Sequence, residues 1–184
     1  MKKYTALFAL AMLIEPAVAQ DNIMFGDKIN SITLYGAQST GSGTLLKLVQ
    51  PGIWEVSPQT FVMLQYAQPI KFFRLDSRLN LNVGQNFAYK SSKGLSFSGI
   101  GISVDTALLQ YKGWYTGIGI GPFMRGTMDY WVESRLVFGE KFFIGKNIDE
   151  YWYIELFTIH FSNGNFTKTN EGFNFAGFSV GYKF

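Results

Sequence analysis

The sequence has no cysteine, few charged residues and a single histidine. The absence of cysteine excludes a disulfide framework and a cysteine-linked lipid anchor. Charged residues make up only 16% of the chain, the formal net charge is +3, and no block of basic residues is present, so we expect no nucleic-acid partner. No cluster of metal-ligating side chains is visible, so we expect neither a metal ion nor any other cofactor.

A long hydrophobic run is also missing. The one apolar stretch, residues 4–14, is too short to span a bilayer as a helix. Lys2 and Lys3 precede this stretch and Ala17-Val18-Ala19 follows it, which is the pattern of a secretory signal peptide with its cleavage site. We therefore predict a signal peptide at residues 1–19 and a single exported domain, an outer-membrane β-barrel, at residues 20–184.

What the chain does have is glycine and aromatic residues, with 20 glycines and 17% Phe, Trp and Tyr. Segments of about ten residues alternate apolar with small or polar side chains, as the strands of outer-membrane barrels do. The segment at 78–90 shows it most plainly, because Leu79, Leu81 and Val83 alternate with Asn80, Asn82 and Gly84. We predict an all-β fold, an eight-stranded antiparallel transmembrane up-and-down β-barrel, with strands at 30–40, 60–73, 78–90, 97–110, 113–124, 130–144, 150–162 and 173–184.

The predicted connections alternate in length. Short turns fall near residues 74–77, 112–113 and 146–150, and longer loops at 41–59, 91–96, 125–129 and 163–172. In such barrels the short turns are periplasmic and the long loops are extracellular. Residues 44–48 could form a further strand, but we predict that 41–59 is an extended or partly helical first loop. Five aromatic residues near predicted strand ends suit interfacial girdles: Trp114, Trp131, Tyr151, Trp152 and Tyr153.

The single histidine opens the sequence His160-Phe161-Ser162-Asn163 at the end of the predicted seventh strand. Strand positions i and i+2 lie on one face, roughly 6.6 Å apart, so the imidazole could activate the hydroxyl of Ser162 as a nucleophile. An isolated His-x-Ser is more often a structural histidine. Here Glu155 lies on the opposite face of the strand from His160 and Ser162. A carboxylate avoids lipid, so the face of Glu155 is predicted to be the lumen. His160 and Ser162 are therefore predicted to face lipid at the outer end of the strand. A purely structural pair would more naturally face the lumen.

These residues give the chain a resemblance to the outer-membrane lipid A 3-O-deacylases, the PagL type. That family carries H-x-S-N near the outer end of its seventh strand, followed by an N-x-G loop and a last strand that ends the chain. Here the loop contains Asn170-Glu171-Gly172 and the last strand ends at Phe184. Weaker similarity covers residues 117–121 and 133–136, and the first strands match only in pattern.

The resemblance implies a serine esterase that removes the ester-linked 3-O-hydroxyacyl chain from lipid A of lipopolysaccharide. Ser162 would attack the ester carbonyl, and His160 would take its proton and pass it to the leaving alkoxide. Asn163 and the backbone N–H groups of Gly164 and Asn165 would bind the oxyanion. The implied location is the bacterial outer membrane, with the active site at the outer leaflet and no metal or cofactor.

The sequence departs from this family in two places. The family has an acidic residue that orients the histidine just after N-x-G, and the equivalent position is Asn174, which carries no charge. Its amide oxygen could still accept the Nδ1–H of the histidine. Glu171 is a possible substitute, although a solvated loop charge is the more ordinary role for a glutamate at that position. The family usually has small residues after the H-x-S-N asparagine, and Asn165 does not conform.

Two alternatives to an active deacylase remain open, a non-enzymatic small barrel used for adhesion or structure, and an inactive member of the family. Lipid-facing aromatic residues would allow a homodimer. Five basic residues near the loops could meet lipopolysaccharide phosphates or be ordinary loop charges: Lys47, Lys90, Lys93, Arg125 and Lys168. Four charged residues are predicted to form a network in the lumen: Asp105, Glu133, Arg135 and Glu155.

Overall fold

The computed structural model describes residues 14–16, 22–89, 96–128 and 131–184. Eight long strands account for most of this part of the chain: β1 (Ser31–Ser42), β2 (Ser57–Phe72), β3 (Leu75–Ala88), β4 (Phe97–Tyr111), β5 (Trp114–Arg125), β6 (Leu136–Asn147), β7 (Trp152–Ser162) and β8 (Phe173–Lys183). Each strand pairs antiparallel with its neighbour in sequence, and β8 pairs with β1. The prediction of a closed eight-stranded up-and-down barrel is therefore confirmed.

The two ends of the barrel differ as predicted. Short turns at 73–74, 112–113 and 148–151 lie at one end, here called the turn end, together with the start of β1 and the end of β8. The long connections lie at the other end, here called the loop end. The predicted start of the sixth strand at residue 130 is wrong, because β6 begins at Leu136.

Residues 131–135 fold over the loop end instead of extending β6. Val132 forms an isolated bridge with Asn170, and Nη2 of Arg125 donates to the carbonyls of Val132 and Ser134 at 2.7 Å each. Glu133 and Arg135 are therefore exposed loop residues, and their predicted place in the lumen is wrong. Arg125 is also not a free loop cation, since it is buried beneath this segment with its guanidinium 5.1 Å from the ring centre of Phe97.

Alternation along the strands produces an apolar outward surface and a filled lumen. Outward residues such as Leu81, Ile102, Ile118 and Phe178 are exposed, whereas their neighbours in sequence are mostly buried. Near the loop end the lumen holds a cluster of packed aromatic rings, with Phe161 centred 5.2 Å from both Phe123 and Phe173. A narrow barrel with side chains filling its interior leaves no wide pore.

The middle of the lumen is held by buried ion pairs. Arg78 contacts Asp105 at 2.8 Å and Glu155 at 2.9 Å, and Lys141 contacts Asp105 at 2.6 Å. The tyrosine hydroxyls of Tyr35 and Tyr115 donate to Glu155 at 3.2 and 2.9 Å. The prediction of Asp105 and Glu155 as lumen residues is correct, and their cationic partners are Arg78 and Lys141.

The N-terminal residues close the turn end. Met24 and Phe25 are buried there, and the side chain of Asn22 donates to the carbonyl of Ser77 at 2.7 Å. Of the predicted signal peptide at 1–19, the described residues include only the short strand Ile14–Pro16, which pairs with the end of β2; the rest lies outside them.

The predicted aromatic girdle is partly correct. Trp114, Tyr151 and Trp152 are exposed at the turn end, whereas Trp131 lies in the loop before β6. Tyr153 faces the lumen, where its hydroxyl lies 3.2 Å from Oγ of Ser31. Successive side chains of a strand point to opposite faces, so Tyr153 faces the lumen whereas its neighbour Trp152 faces outward.

The first loop, residues 43–56, contains two short 3-10 turns, at Leu45–Leu48 and Pro51–Ile53, as the prediction of a partly helical loop requires. Its first turn packs against β6, β7 and β8, so the loop folds down over the outward surface of these strands. The indole N–H of Trp54 donates to the carbonyl of Lys47 at 2.7 Å and ties the two turns together. No helix within the described part of the chain is long and apolar enough to cross a membrane.

Candidate active site

Three polar residues form a row across adjacent strands on the outward surface near the loop end. In the β6–β7 register Glu140 is opposite His160, and in the β7–β8 register His160 is opposite Asn174. Each of the three lies on the same face of its strand as an exposed apolar residue nearer the turn end. These residues are Ile144 on β6, Leu156 on β7 and Phe178 on β8. His160 and Asn174 are nonetheless buried, because the first loop and the β7–β8 loop cover them.

Asn174 holds the imidazole of His160 in one orientation. Oδ1 of Asn174 lies 2.8 Å from Nδ1 of His160, and Nδ2 of Asn174 donates to the carbonyls of Gly41 and Gly43 at 3.2 and 3.4 Å. Because these carbonyls can only accept, they fix the amide with its oxygen toward the histidine. The amide oxygen also only accepts, so Nδ1 carries the proton. The neutral imidazole then has an unprotonated Nε2, as a general base requires.

Ser162 lies two residues further along β7, on the same face as His160. No hydrogen bond joins Ser162 to His160 within the described part of the chain, and contacts of this kind are often long before substrate binds. Both residues line a groove with a volume of about 540 Å³, together with residues 42–44, Asn170 and Glu171. The nucleophile and base predicted from the sequence therefore share one accessible groove on the outside of the barrel wall.

Gly172 forms the wall against which the imidazole rests. A Cβ atom at this position would lie 2.4 Å from Cε1 and 3.0 Å from Nε2 of His160, and the residue has a φ of +67°. Only glycine meets both conditions without strain. The N-x-G segment noted in the sequence thus has a steric role, which is to leave room for the histidine.

The three residues predicted to bind an oxyanion occupy a tightly bonded turn. The side chain of Asn163 donates to Thr167 and to the carbonyl of Thr169, and accepts the N–H of Asn165 at 2.9 Å. The backbone N–H of Asn163 donates to Asn170 at 2.9 Å. The backbone N–H groups of Asn163 and Asn165 therefore donate to side chains of the same loop. The backbone N–H of Gly164 has no acceptor among the described residues.

The other residues singled out in the sequence lie at the rim of this groove or away from it. Glu171 has an exposed side chain, and its backbone bonds to Gly43 and Trp131. Lys47 is largely buried, with Nζ 3.4 Å from the carbonyl of Thr40 and 3.9 Å from Glu55. Lys168 is exposed in the β7–β8 loop, and Lys90 and Lys93 lie outside the described residues.

An apolar groove of about 700 Å³ continues from the polar row along the outward surface. The first loop forms one side of it with Val49, Pro51 and Trp54. The strands supply the floor, including Phe142, Ile144, Leu156, Thr158, Ala176 and Phe178. The groove begins next to the polar row, on its turn-end side. Each residue of the row is followed there by the next outward residue of its strand, which is Phe142 on β6, Thr158 on β7 and Ala176 on β8.

Sequence reasoning missed Glu140 and the groove. The signal for Glu140 was present, because it interrupts an otherwise apolar outward series on β6 formed by Leu136, Phe138, Phe142 and Ile144. Finding it required assigning the faces of β6. The groove depends on how the first loop folds back, which no local pattern specifies. In the described ranges no group of three acidic, histidine or cysteine side chains is placed to hold a metal ion.

Comparison with solved structures shows the fold. Neisserial surface protein A aligns with a TM-score of 0.59 and 12% identity, covering 84% of this chain and 97% of that protein. The outer membrane enzyme PagL aligns with a TM-score of 0.51 and 12% identity, covering 83% of this chain and 97% of that enzyme. No curated protein sequence matches significantly. The model of the family described as lipid A 3-O-deacylase (PagL) matches residues 57–183, and the chain therefore belongs to the lipid A 3-O-deacylase family.

Proposed function

We propose that the protein is a serine esterase that removes the 3-O-linked acyl chain from lipid A, with Ser162 as nucleophile and His160 as general base. The observation that carries this proposal is the hydrogen bond from Nδ1 of His160 to Asn174, which leaves Nε2 unprotonated on a side chain that lines the same groove as Ser162. Membership of the lipid A 3-O-deacylase family supports the substrate class.

The reaction begins when Oγ of Ser162 attacks the ester carbonyl carbon and its proton passes to Nε2 of His160. The tetrahedral intermediate collapses as His160 gives this proton to the alkoxide of the sugar, which leaves. Water, deprotonated by His160, then attacks the carbonyl of the acyl-Ser162 ester. As the fatty acid leaves, His160 returns the proton to Oγ of Ser162, which restores the starting state. No step requires a metal ion or an organic cofactor.

The oxyanion of the intermediate needs donors that are free to bind it. We assign the backbone N–H of Gly164 to this role, because it has no acceptor among the described residues. Asn163 and Asn165 keep the turn in place through the bond between Oδ1 of Asn163 and the N–H of Asn165. Direct participation of Asn163 or Asn165 would require that turn to open.

Asn174 is the orienting residue in this proposal, and Glu171 is not. The distance from Asn174 Oδ1 to His160 Nδ1 is 2.8 Å, whereas the side chain of Glu171 is exposed at the rim of the groove. The neutral amide of Asn174 fixes the tautomer of His160 without contributing a negative charge.

The two grooves accommodate the two parts of such a substrate. The polar groove at Ser162 opens to solvent near the loop end and would take the sugar and the ester. The apolar groove beneath it would take the acyl chain, between Trp54 of the first loop and Leu156 of β7. This arrangement supports an active site at the outer leaflet of the outer membrane. The protein would reach this membrane by export directed by a signal peptide at residues 1–19.

Lipid A from lipopolysaccharide treated with the folded wild-type protein should lose one acyl chain by mass spectrometry. The Ser162→Ala variant should leave lipid A intact while showing the same heat-dependent shift in gel mobility as the wild type. Unchanged lipid A after treatment with folded wild type would overturn the proposal.

That negative result would favour the alternative of a non-enzymatic barrel, or of an inactive family member with a neutral orienting residue. The similarity to Neisserial surface protein A is a similarity of fold and is compatible with either outcome. The homodimer stays a prediction from the sequence.

A further inference from the structure

Glu140 is a carboxylate on the outward surface of the barrel, directly opposite His160 on the neighbouring strand. Its outward neighbours on β6, Phe138 and Phe142, are apolar. Oε2 of Glu140 is buried and has no hydrogen-bond partner among the described residues. An acidic side chain in this position is costly, because the outward surface of such a barrel meets lipid.

The cost is specific to Glu140, since other acids in the middle of the barrel are inside and paired. Asp105 and Glu155 face the lumen and each contacts Arg78. An inward carboxylate would therefore have found cationic partners. Glu140 instead lies between Ile120 of β5 and His160 of β7, and His160 is the general base of the proposed reaction.

The proposed reaction creates a positive charge at this point. When His160 takes the proton of Ser162 it becomes an imidazolium, shielded from water beneath two loops. Asn174 accepts a hydrogen bond from Nδ1 but carries no charge to balance it. A carboxylate within about 4–6 Å stabilises the charged form of a base by roughly 10- to 1,000-fold. Glu140 and His160 are opposite one another in the β6–β7 register, and side chains in such a pair have Cβ atoms about 4.5–5.5 Å apart. The two side chains are therefore within reach of one another.

We propose that Glu140 is a positioning residue for catalysis, whose carboxylate stabilises the His160 imidazolium from the β6 side while Asn174 fixes its tautomer from the β8 side. This proposal rests on the proposed function. The proton balance is that of the esterase reaction: it moves from Oγ of Ser162 to Nε2 of His160 and on to the leaving alkoxide.

The charges around Glu140 do not offer another partner. On β5 the outward residues nearest to it are Ile118, Ile120 and Pro122, none of which titrates. In the first loop Lys47 donates to the carbonyl of Thr40 and lies 3.9 Å from Glu55. In the β7–β8 loop the side chain of Glu171 is exposed.

The test is the rate of lipid A deacylation as a function of pH for the wild type and for Glu140→Gln, which keeps the size and removes the charge. We expect the plateau rate to fall by about 10- to 100-fold. The carboxylate favours protonation of His160, which inactivates the general base. The acid limb of the pH–rate profile of the wild type therefore lies at higher pH than it would without this charge. In Glu140→Gln the midpoint of this acid limb should therefore move to lower pH.

Rescue by a relocated charge separates electrostatics from packing. Asn174→Asp in the Glu140→Gln background should recover most of the lost rate, because it restores one carboxylate next to His160. Glu150→Gln, in the exposed turn before β7, is the matched control and should leave both rate and midpoint unchanged.

An active wild type with an unchanged plateau and midpoint in Glu140→Gln would overturn this proposal and leave the esterase standing. A rate loss without a shift in midpoint and without rescue would also overturn it, since that is the result of a packing defect. An inactive wild type would instead sink the proposed function itself.

Discussion

Glu140 and Lys141 are neighbours in sequence on β6, yet their side chains meet opposite environments. Lys141 points into the lumen and contacts Asp105 at 2.6 Å, and Asp105 also contacts Arg78 at 2.8 Å. Glu140 points outward, and its Oε2 has no partner among the described residues. One strand thus carries a charge in a buried ion pair on one face and a carboxyl group with no ion-pair partner among the described residues on the other.

The same contrast holds on β7. Glu155 accepts bonds from Arg78, Tyr35 and Tyr115 inside the barrel. Outside, His160 uses Nδ1 for Asn174 and keeps Nε2 available. Buried polar groups with all partners present hold a structure together, whereas incompletely paired groups are the ones that can engage a substrate. Four variants should sharpen this comparison, from the largest expected effect to the smallest.

Arg78→Ala should have the largest effect, and it should be on stability. Removing one member of a buried ion network leaves Glu155 without its cation, which costs about 3–5 kcal/mol in the free energy of unfolding. Urea titration of the protein folded into lipid vesicles measures this loss. Molecules that remain folded should deacylate lipid A within a few-fold of the wild-type rate. A stability change below about 1 kcal/mol would break the contrast between lumen and outward surface.

Asn174→Ala should act on activity instead. Without the amide oxygen the imidazole loses its fixed tautomer, and we expect deacylation to slow by about 100-fold or more. The free energy of unfolding should fall by only about 1 kcal/mol, because the lost hydrogen bonds to Gly41 and Gly43 are ordinary ones. Initial rates on purified lipopolysaccharide together with the same urea titration test both parts. A rate within threefold of wild type would assign the orientation of His160 to another group.

Gly172→Ala should slow deacylation by about tenfold, because the new methyl group would displace the His160 ring. It should also cost about 1–2 kcal/mol, since alanine is strained at a positive φ. Gly126→Ala is the matched control at the same end of the barrel, where a Cβ atom meets only a backbone oxygen at 3.6 Å. Equal effects of the two substitutions would contradict the steric role of Gly172.

Asn165→Gly should have the smallest effect. Asn165 has a φ of +62°, so glycine relieves strain, but the bond from Asn170 to its side chain is lost. We expect the relieved strain and the lost hydrogen bond to offset one another, so that the free energy of unfolding changes by less than about 1 kcal/mol. The rate should stay within threefold, because the bond from the backbone N–H of residue 165 to Asn163 is retained. A larger loss of rate would give the side chain of Asn165 a direct part in oxyanion binding.

Much of the fold could be predicted because strand alternation is a local pattern. The parity of Glu155 was sufficient to orient β7, and the outward position of His160 and Ser162 follows from it. The start of β6 was placed too early, because residues 131–135 are held over the loop end by Arg125, a contact that no local pattern specifies.

The remainder depended on contacts between segments distant in sequence. Arg78 and Lys141 become the lumen cations only through the register of β3, β4 and β6. Asn174 was matched to the orienting residue of His160 through the resemblance to the lipid A 3-O-deacylases. That Glu140 is the neighbour of His160 on the other side follows from the pairing of β6 with β7.

The position of His160 and Ser162 on the outward face of the wall governs how such an enzyme meets its substrate. A lipid anchored in the same leaflet reaches this site by lateral diffusion, so its mole fraction in the membrane sets the encounter rate. Diluting lipopolysaccharide with an inert phospholipid, at constant total lipopolysaccharide, should slow the reaction in proportion. The proposed enzyme would then respond to the lipid composition of the membrane around it, and the density of lipopolysaccharide in the leaflet would control its rate.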